Sequence, residues 1–459
     1  MKGAVEKQLD TSAARPGVPD RQVLNAADRL MLVAHGALRE AGHGGFQCQS
    51  HVWLEGRLDV VKLQSALRRL AGAYPVVTSR IVEPPGRQPP YWRFRSDSRP
   101  QLCEIDLASD DPEEVRCYGA RLDESPLDHD RSDPMSFHLL HRPSGRDVLI
   151  LAYGHVLMDG KAPEFALCEV DRLYHLSDDE APAWGAGAST VDEMAAHLAR
   201  FDRRRRIRSA LRVVASHLCW PITAVTLVPP EMREWQWTPF RFRVRPFDEA
   251  KTIIVRDRVK RLCGFANLTP AVLASAFRII SRLSPHRQSD RTAFRADLPL
   301  NLRPPGKAEP IFRNFMSFIQ LSARRDEIAN GDDAVRLLNG QMRDQIRRGI
   351  DLGNLQMMTF MAPRARALKQ HIMNRMKNQP FTLGFGFLGP VAAGLERFCG
   401  AGVEAFHSFN TALSPPGITL QANLYQDRLN LILTYIGADA VRDATADALL
   451  AGMEEDMLG

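Results

Sequence analysis

The sequence predicts a mixed α/β protein of two lobes. Its 459 residues exceed what one hydrophobic core usually supports. Segments with the alternating pattern of strands interleave with segments of helical periodicity on both sides of a Pro-, Gly- and Arg-rich stretch. The chain therefore divides into a loose leader (1–20), an N-terminal lobe (21–180), an interlobe linker (181–245) and a C-terminal lobe (246–459).

The first lobe opens with a predicted strand–helix unit. Residues 46–54 alternate between two faces, which is the periodicity of a strand. Asp59 is a typical helix N-cap, and apolar residues recur at helical spacing after it. These apolar residues are Leu63, Ala66, Leu67 and Leu70. The helix should end at Tyr74, because a residue before proline avoids the helical region, and Val76–Val82 is predicted as a further strand.

A predicted hairpin leads to the segment of greatest chemical interest. Met135–His141 and Asp147–Tyr153 are apolar runs joined by residues 143–146, whose Pro-Ser-Gly-Arg sequence is typical of a turn. Residues 162–173 then carry one apolar helical face. Gly154–Gly160 is therefore a loop between a buried strand and a helix, and loops held by rigid elements commonly carry chemistry.

The middle of the chain changes character before the second lobe begins. Arg203–Arg206 precede a helical stretch at 207–220, and two prolines follow at 229–230. Thr269–Pro270 is a strong helix start, since proline is favoured at the first helical position. Further strands are predicted near 291–300, 314–321, 381–388, 403–410, 417–425 and 429–436, and helices near 332–348, 354–376 and 439–457.

Composition and charge exclude several classes of protein. Hydrophobic residues make up 44% of the chain and charged residues 25%, which is ordinary for a globular protein. A net charge of +6 suits a phosphate-bearing substrate, an acidic carrier protein or an anionic membrane, but is too weak to indicate nucleic acid binding. Seven cysteines without a CxxC pair, no secretory leader and no apolar run near about 20 residues predict a cytoplasmic chain with free thiols.

Residues 153–160, in the loop after the predicted hairpin, read Tyr-Gly-His-Val-Leu-Met-Asp-Gly. An imidazole of ordinary pKa, about 6.5, is largely neutral at cytoplasmic pH and can accept a proton. A single histidine at a strand end is more often structural, so the neighbouring residues matter. The segment resembles the HHxxxDG motif of condensation domains, chloramphenicol acetyltransferase, wax ester synthases and alcohol acyltransferases. His155, Asp159 and Gly160 match it, whereas Gly154 stands in place of the first histidine.

The resemblance extends along roughly residues 25–455. Leu54–Asp59 and the helix after it look like the opening strand–helix unit of these proteins. Leu298–Pro304 with Arg313–Ser317 resembles their second-lobe strand pair, and Thr382–Gly384 resembles the segment that crosses between the lobes. The resemblance implies two chloramphenicol-acetyltransferase-like lobes in a V, each a mixed sheet backed by helices, with the motif loop in a tunnel between them.

The same resemblance implies an acyltransferase with His155 as the general base. The acyl group would pass from a thioester, on coenzyme A or on the pantetheine arm of a carrier protein, to a hydroxyl or amine. Such proton transfer usually contributes about 10²–10⁴-fold to the rate, and holding both substrates in one tunnel adds to it. No covalent enzyme intermediate is required, and no cofactor is expected beyond the thioester substrate.

Other motif residues are assigned supporting roles by the resemblance. Asp159 would point away from the substrates and pair with an arginine, for which Arg303 is the candidate. Gly160 would permit the tight turn into the next helix. The tetrahedral oxyanion needs a donor, and a backbone amide near Gly160 is one candidate. The other candidates for oxyanion or substrate contacts are Asn301, Asn314, Ser317 and Gly384.

Gly384–Gly389 matches the GxGxxG pattern, and Glu404 stands near the distance expected of a dinucleotide site. Pro390 and Gly394 interrupt any helix after the glycines, and no clear βαβ unit surrounds them. We therefore interpret this segment as a strand and turn where two backbones approach closely. The histidines show no HExxH or Cys/His ligand spacing, so no metal is predicted.

A basic helix is the second pattern with an alternative meaning. Arg203–Arg206 with Ile207, Leu211, Val214 and Leu218 could lie on a membrane surface. The simpler interpretation is a solvated charged helix between the lobes.

Several functional alternatives stay open at this point. The chain could be a coenzyme A-dependent acyltransferase, or a free-standing condensation, cyclisation or epimerisation enzyme acting on carrier-bound substrates. It could also be a non-catalytic relative that docks a partner, which only Gly154 favours. Because one chain is long enough to supply both lobes, a monomer is expected.

Overall fold

The structure is a computed structural model of the 459-residue chain. The described residues are 19–40, 44–86, 88–95, 99–125, 128–129, 131–188, 191–218, 224–227, 240–265, 267–284, 293–364, 369–370, 381–412, 416–437 and 441–459. Their helices are α1 (Ala26–Glu40), α2 (Val60–Ala73), α3 (Pro112–Glu124), α4 (Ala162–Tyr174), α5 (Glu193–Ala199), α6 (Arg203–Leu218), α7 (Glu249–Cys263), α8 (Thr269–Leu283), α9 (Gly331–Arg347), α10 (Ile350–Met361) and α11 (Asp443–Leu458). Their strands are β1 (Arg21–Val23), β2 (Gln47–Leu54), β3 (Arg80–Val82), β4 (Tyr91–Arg93), β5 (Gln101–Asp106), β6 (Met135–His141), β7 (Asp147–Gly154), β8 (Phe240–Pro246), β9 (Phe294–Asn301), β10 (Met316–Ala323), β11 (Gly384–Pro390), β12 (Arg397–Phe398), β13 (Ala401–Asn410), β14 (Ile418–Tyr425) and β15 (Arg428–Ile436).

A six-stranded sheet organises the N-terminal lobe, in the order β12-β13-β2-β7-β6-β5. The predicted hairpin is confirmed, since β6 and β7 pair antiparallel from Met135 opposite Tyr153 to His141 opposite Asp147. Every residue of β2 and β7 is buried. The reason is that α2 and α4 pack on one face of these strands and α3 packs on the other. The strand that leads to the motif loop is therefore held rigidly in the core.

The C-terminal lobe is built on a four-stranded sheet in the order β11-β14-β15-β8 and on the β9–β10 hairpin. The hairpin joins the sheet beside β11, where the Thr382 N–H donates to the carbonyl of Arg295 at 2.8 Å. The Thr382 hydroxyl accepts from the Arg295 N–H at 2.9 Å. Apolar residues of α8, α9 and α11 pack with these strands in one large core. The lobe therefore has its own sheet and its own core, as the sequence predicts.

Each of the two sheets contains a strand from outside its predicted lobe, which the division at residues 181–245 and 246–459 does not capture. β13 comes from the second half of the chain but pairs with β2 of the N-terminal sheet, with His407 opposite His51. β8 lies in the predicted linker except for its last residue, Pro246, but pairs with β15 of the C-terminal sheet. Pairing between strands so far apart in sequence leaves no local pattern, so sequence periodicity does not reveal it.

Two further predictions differ in detail from the structure. Residues 75–78 form a 3₁₀ turn instead of the start of a strand, because Pro75 opens it and its carbonyl accepts from the Ser79 hydroxyl at 2.7 Å. The helix predicted at 354–376 is α10, which starts earlier and ends at Met361. Residues 365–368 and 371–376 of that prediction lie outside the described residues.

The basic helix of the middle segment is α6, and it packs on α10. Ser209 and Val213 are buried, and a Cβ at Gly353 of α10 would lie 2.4 Å from the Ser209 carbonyl oxygen. The absence of a side chain at Gly353 thus allows the two helices to approach closely. Over the described ranges, no helix is both long and apolar enough to cross a bilayer.

Candidate active site

The motif loop starts at the end of β7, in the centre of the N-terminal sheet. β7 ends at Gly154, and the backbone N–H of His155 donates to the carbonyl of Phe46 at 3.0 Å. The Leu157 N–H then donates to the carbonyl of Gly154 at 2.9 Å, and α4 begins at Ala162. The backbone that carries His155 is therefore fixed on both sides.

Asn314 holds the His155 imidazole in one tautomer. The Asn314 Nδ2 donates to the backbone carbonyls of His155 and Val156 at 2.8 and 3.3 Å. Because a carbonyl can only accept, these bonds settle the orientation of the amide and turn its Oδ1 toward Nδ1 of His155, 3.1 Å away. An amide oxygen also only accepts, so Nδ1 carries the proton and Nε2 keeps its lone pair.

Asp28, in the first turn of α1, holds Asn314 in place through hydrogen bonds. Its Oδ1 accepts from the backbone N–H and from Nδ2 of Asn314 at 2.9 and 3.0 Å. Asn25 and Asp28 form a capping box: the Asn25 N–H donates to Oδ2 at 3.0 Å, and the Asp28 N–H donates back to the Asn25 Oδ1 at 2.9 Å. The Asn25 side chain also donates to the carbonyl of Asn314 at 2.9 Å. The start of α1 therefore fixes the residue that orients His155.

Burial shifts the pKa values of the two ionisable groups, His155 and Asp28. His155 is 7% exposed, and the Phe46 ring packs on it with centroids 4.6 Å apart. Burial lowers the pKa of the His155 imidazole, and its hydrogen bonds and the charge of Asp159 oppose this only in part. Burial raises the pKa of Asp28 to about 6, against the opposing charge of Arg313. At neutral pH the site therefore contains a neutral imidazole, oriented by an amide that rests on a carboxylate.

A buried ion pair joins the motif loop to the second half of the chain. The Arg303 Nη1 lies 2.7 Å from Oδ2 and 3.0 Å from Oδ1 of Asp159, and the two side chains are 1% and 5% exposed. Asp159 also accepts from the N–H groups of Phe315 and Ala162 at 2.8 and 3.2 Å. Arg303 also donates to the carbonyl of Pro310 at 2.6 Å. Because both carboxylate oxygens accept hydrogen bonds from these donors, Asp159 shapes the loop and is not available as the base.

Known proteins resemble this chain at the level of the fold. No family model and no curated protein matches the chain, but solved structures match nearly all of it. The first condensation domain of the CDA synthetase is similar, with a TM-score of 0.71, 16% identity, and coverage of 95% of this chain and 96% of that one. The TRI3 trichothecene 15-O-acetyltransferase from Fusarium sporotrichioides has a TM-score of 0.70 and 12% identity over 95% of each chain. The epimerization domain from the third module of tyrocidine synthetase B has a TM-score of 0.65 and 14% identity over 97% of each.

The chain has the condensation-domain fold. This confirms the two-lobe α/β fold class and the resemblance on which it was predicted. In this condensation-domain fold, His155 comes from the N-terminal sheet and Asn314 from the segment before β10. The proposed base and the group that orients it therefore belong to different halves of the sequence.

Three of the predicted oxyanion or substrate contacts bond other groups of the protein in the condensation-domain fold. Asn301 is exposed, and its side-chain oxygen accepts from the N–H and from the guanidinium of Arg303 at 3.1 Å. The Ser317 hydroxyl donates to the carbonyl of Asp351 at 2.6 Å. The amide of Asn314 is committed to carbonyls and to a carboxylate, as described above. We therefore withdraw Asn314 and Ser317 as oxyanion donors, because a hydrogen already donated to the protein cannot stabilise a substrate. Asn301 is engaged only through its oxygen and keeps its amide hydrogens.

The two motif-related glycines serve close packing. A Cβ at Gly384 would lie 2.5 Å from the Thr419 Oγ1, so β11 and β14 approach as the close-contact interpretation of the GxGxxG pattern predicts. Gly160 lies outside the left-handed region, and a Cβ there would lie 3.4 Å from the side chain of Leu388. The expectation that Gly160 permits a glycine-dependent turn is therefore wrong. Its environment requires only a small residue beside β11.

Sequence reasoning missed two features that shape the site. The Asn25–Asp28 capping box is visible in the sequence, but its contact with Asn314 is not. His129 is the second, since a Cβ at Gly154 would lie 2.3 Å from its Cε1 atom. Over the part of the chain that the structure describes, no three His, Cys, Asp or Glu side chains cluster as metal ligands would.

Proposed function

We propose that the protein is an acyltransferase that moves an acyl group from a thioester to a hydroxyl or amine, with His155 as the general base. The observation that carries this proposal is the Asn314–His155 bond, which leaves Nε2 of a neutral imidazole free to accept a proton. The fold adds support, since one similar structure is described as an acetyltransferase and another as a condensation domain.

The reaction balances without a covalent enzyme intermediate. The acceptor oxygen or nitrogen attacks the thioester carbon, and its proton passes to Nε2 of His155. The tetrahedral intermediate then collapses, the carbon–sulfur bond breaks, and the imidazolium returns the proton to the departing thiolate. A backbone amide near Gly160 and the side-chain amide of Asn301 are our remaining candidates for stabilising the oxyanion. Ester and amide products both follow from this sequence, depending on the acceptor.

The coenzyme A or pantetheine part of the acyl donor has a candidate binding site beside the motif loop. A cavity of about 610 Å³ is lined by Arg256, Lys260 and residues 387–390 of β11, together with Asp257. Leu388, in this lining, is the neighbour of Gly160. We propose that the phosphate-bearing end of coenzyme A or of a carrier's pantetheine arm lies here, because the Lys260 ammonium attracts phosphate. Arg256 adds a second positive charge, which its ion pair with Asp427 at 2.7 Å partly neutralises. Net charge alone does not separate the two donors, since both are anionic.

One observation favours a second function. A similar structure is described as an epimerization domain, and the same histidine could remove a proton from a carrier-bound substrate. A non-catalytic scaffold is the third candidate, and Gly154 is the residue that favours it. Two observations oppose a non-catalytic scaffold. Asn314 bonds the His155 imidazole, and Asp159 and Arg303 form a buried ion pair.

The decisive experiment compares wild type with His155→Ala. Each protein is incubated with a panel of acyl-coenzyme A thioesters and a mixed pool of alcohols and amines, and free thiol and acyl products are measured. We expect thiol release that depends on the acceptor and is lost in His155→Ala. The matched control is His175→Ala, which removes an exposed histidine after α4 and should leave activity unchanged.

Carrier-bound substrates separate the alternatives. If free thioesters give no release, the same assay with acylated carrier proteins tests the carrier-dependent enzyme. Exchange of the substrate's α-proton without acyl transfer would support epimerisation instead. Acceptor-dependent activity that survives in His155→Ala would contradict the proposed mechanism.

A further inference from the structure

The space beside Gly154 is filled by the imidazole of His129. A Cβ at position 154 would lie 2.3 Å from Cε1 and 3.0 Å from Nε2 of His129. Contacts this short do not occur for real side chains, so no residue larger than glycine fits at 154 while His129 stays in place. The HHxxxDG motif has its first histidine at position 154. This chain has glycine there, and the imidazole of His129 fills the space beside it.

His129 is held firmly in this position. It lies in a turn closed by bonds from the N–H groups of Arg131 and Ser132 to the Asp128 carbonyl, at 2.9 and 2.6 Å. The carbonyl of His129 accepts from the N–H of Ile81, in β3, at 3.0 Å. The side chain is buried, and the Trp92 ring packs edge-on with centroids 6.0 Å apart. The imidazole is therefore a fixed part of the wall behind the motif loop.

A continuous set of ring contacts connects His129 to the proposed base. The ring of His35, in α1, lies 4.4 Å from that of His129. The Nδ1 of His35 accepts from the N–H of Phe46 at 3.1 Å. Phe46 packs its ring on His155 and accepts the His155 N–H through its carbonyl. A displacement of His129 would therefore reach His155 by two routes, through Gly154 and through Phe46.

His129 contributes shape and not charge. In the described part of the chain neither ring nitrogen has a hydrogen-bond partner. Burial also holds the pKa of this imidazole well below its usual value, so it is neutral at physiological pH. A buried ring without polar partners acts as a packing group.

We infer that His129 is a positioning residue that occupies the space of the missing motif histidine and holds the Gly154–His155 backbone in place. This inference rests on the proposed function for its catalytic consequence, but the coupling of positions 129 and 154 does not depend on it.

A residue swap tests the coupling. The variants are His129→Ala, Gly154→His and the double variant that carries both changes. Each single change should lower the Tm, the first by opening a cavity and the second by a clash. The double variant should recover a Tm above that of Gly154→His, because the new imidazole can enter the space that His129 has left. Purely additive losses in the double variant would overturn the inference.

Kinetics test the positioning role. His129→Ala should lower kcat by about 10- to 100-fold with KM little changed, since small misplacements of reacting groups have effects of this size. His129→Phe should keep most of the activity, because a ring of similar shape refills the space. His138→Ala is the control, since it truncates a buried histidine of β6 that contacts Tyr118 instead of the loop. If His129→Phe is as impaired as His129→Ala, the packing role is wrong and the imidazole has a polar one.

The two readouts separate the possible failures. Wild type without acyl transfer would defeat the proposed function, and the Tm comparison would still decide the coupling. Active wild type with additive Tm losses would defeat the inference alone.

Discussion

The side-chain oxygen of Asn314 lies 3.1 Å from Nδ1 of His155, while the amide nitrogen of the same residue bonds the His155 carbonyl at 2.8 Å. One amide therefore fixes both the ring and the backbone of the proposed base. This arrangement resembles the logic of a triad, in which a third group holds the histidine in the productive tautomer. Asn314 is neutral. The charged group is Asp28, whose carboxylate accepts a hydrogen bond from the Asn314 amide.

Replacing Asn314 tests the orientation of the base. Asn314→Ala frees the imidazole to rotate and to change tautomer, and we expect kcat to fall about 10- to 1000-fold, less than the roughly 10⁴-fold cost of losing a charged orienting group. Asn314→Asp should be impaired as well, because its second oxygen would face the carbonyls of His155 and Val156. The control is Asn339→Ala, a buried asparagine of α9. Full activity in Asn314→Ala would contradict this role, and rates measured at saturating substrate would show it.

The pH dependence of kcat/KM should reflect a base with a lowered pKa. The imidazole is active when neutral, so activity rises as pH increases through its pKa. Because burial lowers that pKa, the acid limb should lie below pH 6.5, the usual value for histidine. Asp28, with a pKa of about 6, loses its charge over the same range and should steepen the limb. A pH–rate profile from pH 4 to 9 measures this, and a midpoint above 7 would speak against it.

The buried Asp159–Arg303 pair should be costly to break from one side. Arg303→Met leaves the Asp159 carboxylate buried without its counter-charge, and we expect a loss of about 3–5 kcal/mol in the free energy of unfolding. Arg336→Met, which removes an exposed pair with Asp333, should cost about 1 kcal/mol or less. Denaturant titration of both variants gives the comparison. Equal losses in the two would mean that the buried pair has no special structural role.

The exposed face of α6 predicts binding to anionic lipid. Ile207, Leu211 and Val214 form a stripe that is 47%, 63% and 42% exposed, although the opposite face of the helix is packed. Arginines flank this stripe, and in the described ranges those at 203 and 204 have no carboxylate within ion-pair distance. Apolar residues beside arginines suit an anionic membrane surface, so the membrane alternative for this helix can be tested against the solvated-helix interpretation.

Vesicle flotation measures that binding. We expect the protein to float with vesicles that contain phosphatidylglycerol, to stay behind with phosphatidylcholine alone, and to dissociate at high salt. Leu211→Glu should abolish flotation. Ile254→Glu, which also replaces an exposed apolar side chain by a carboxylate but lies on α7, should not. Failure of wild type to bind anionic vesicles would leave the solvated-helix interpretation in place.

Elements governed by short-range interactions were predictable from the sequence. Asp59 was expected to cap α2, and its carboxylate accepts the Lys62 N–H at 3.0 Å. The alternation of β2, the β6–β7 hairpin and the strand-to-loop change at Gly154 follow from side-chain periodicity and turn composition. The motif placed His155 at the end of a buried strand for the same reason.

The sequence by itself determined the α/β class, most helices and strands, and the loop that carries His155, because each depends on residues only a few positions apart. Only the tertiary structure decided that β13 joins the N-terminal sheet, that Asn314 orients the His155 imidazole, and that His129 fills the space at Gly154. These contacts join residues far apart in the chain, and their partners are chosen by packing and by the need to satisfy buried polar groups. No local pattern records that choice.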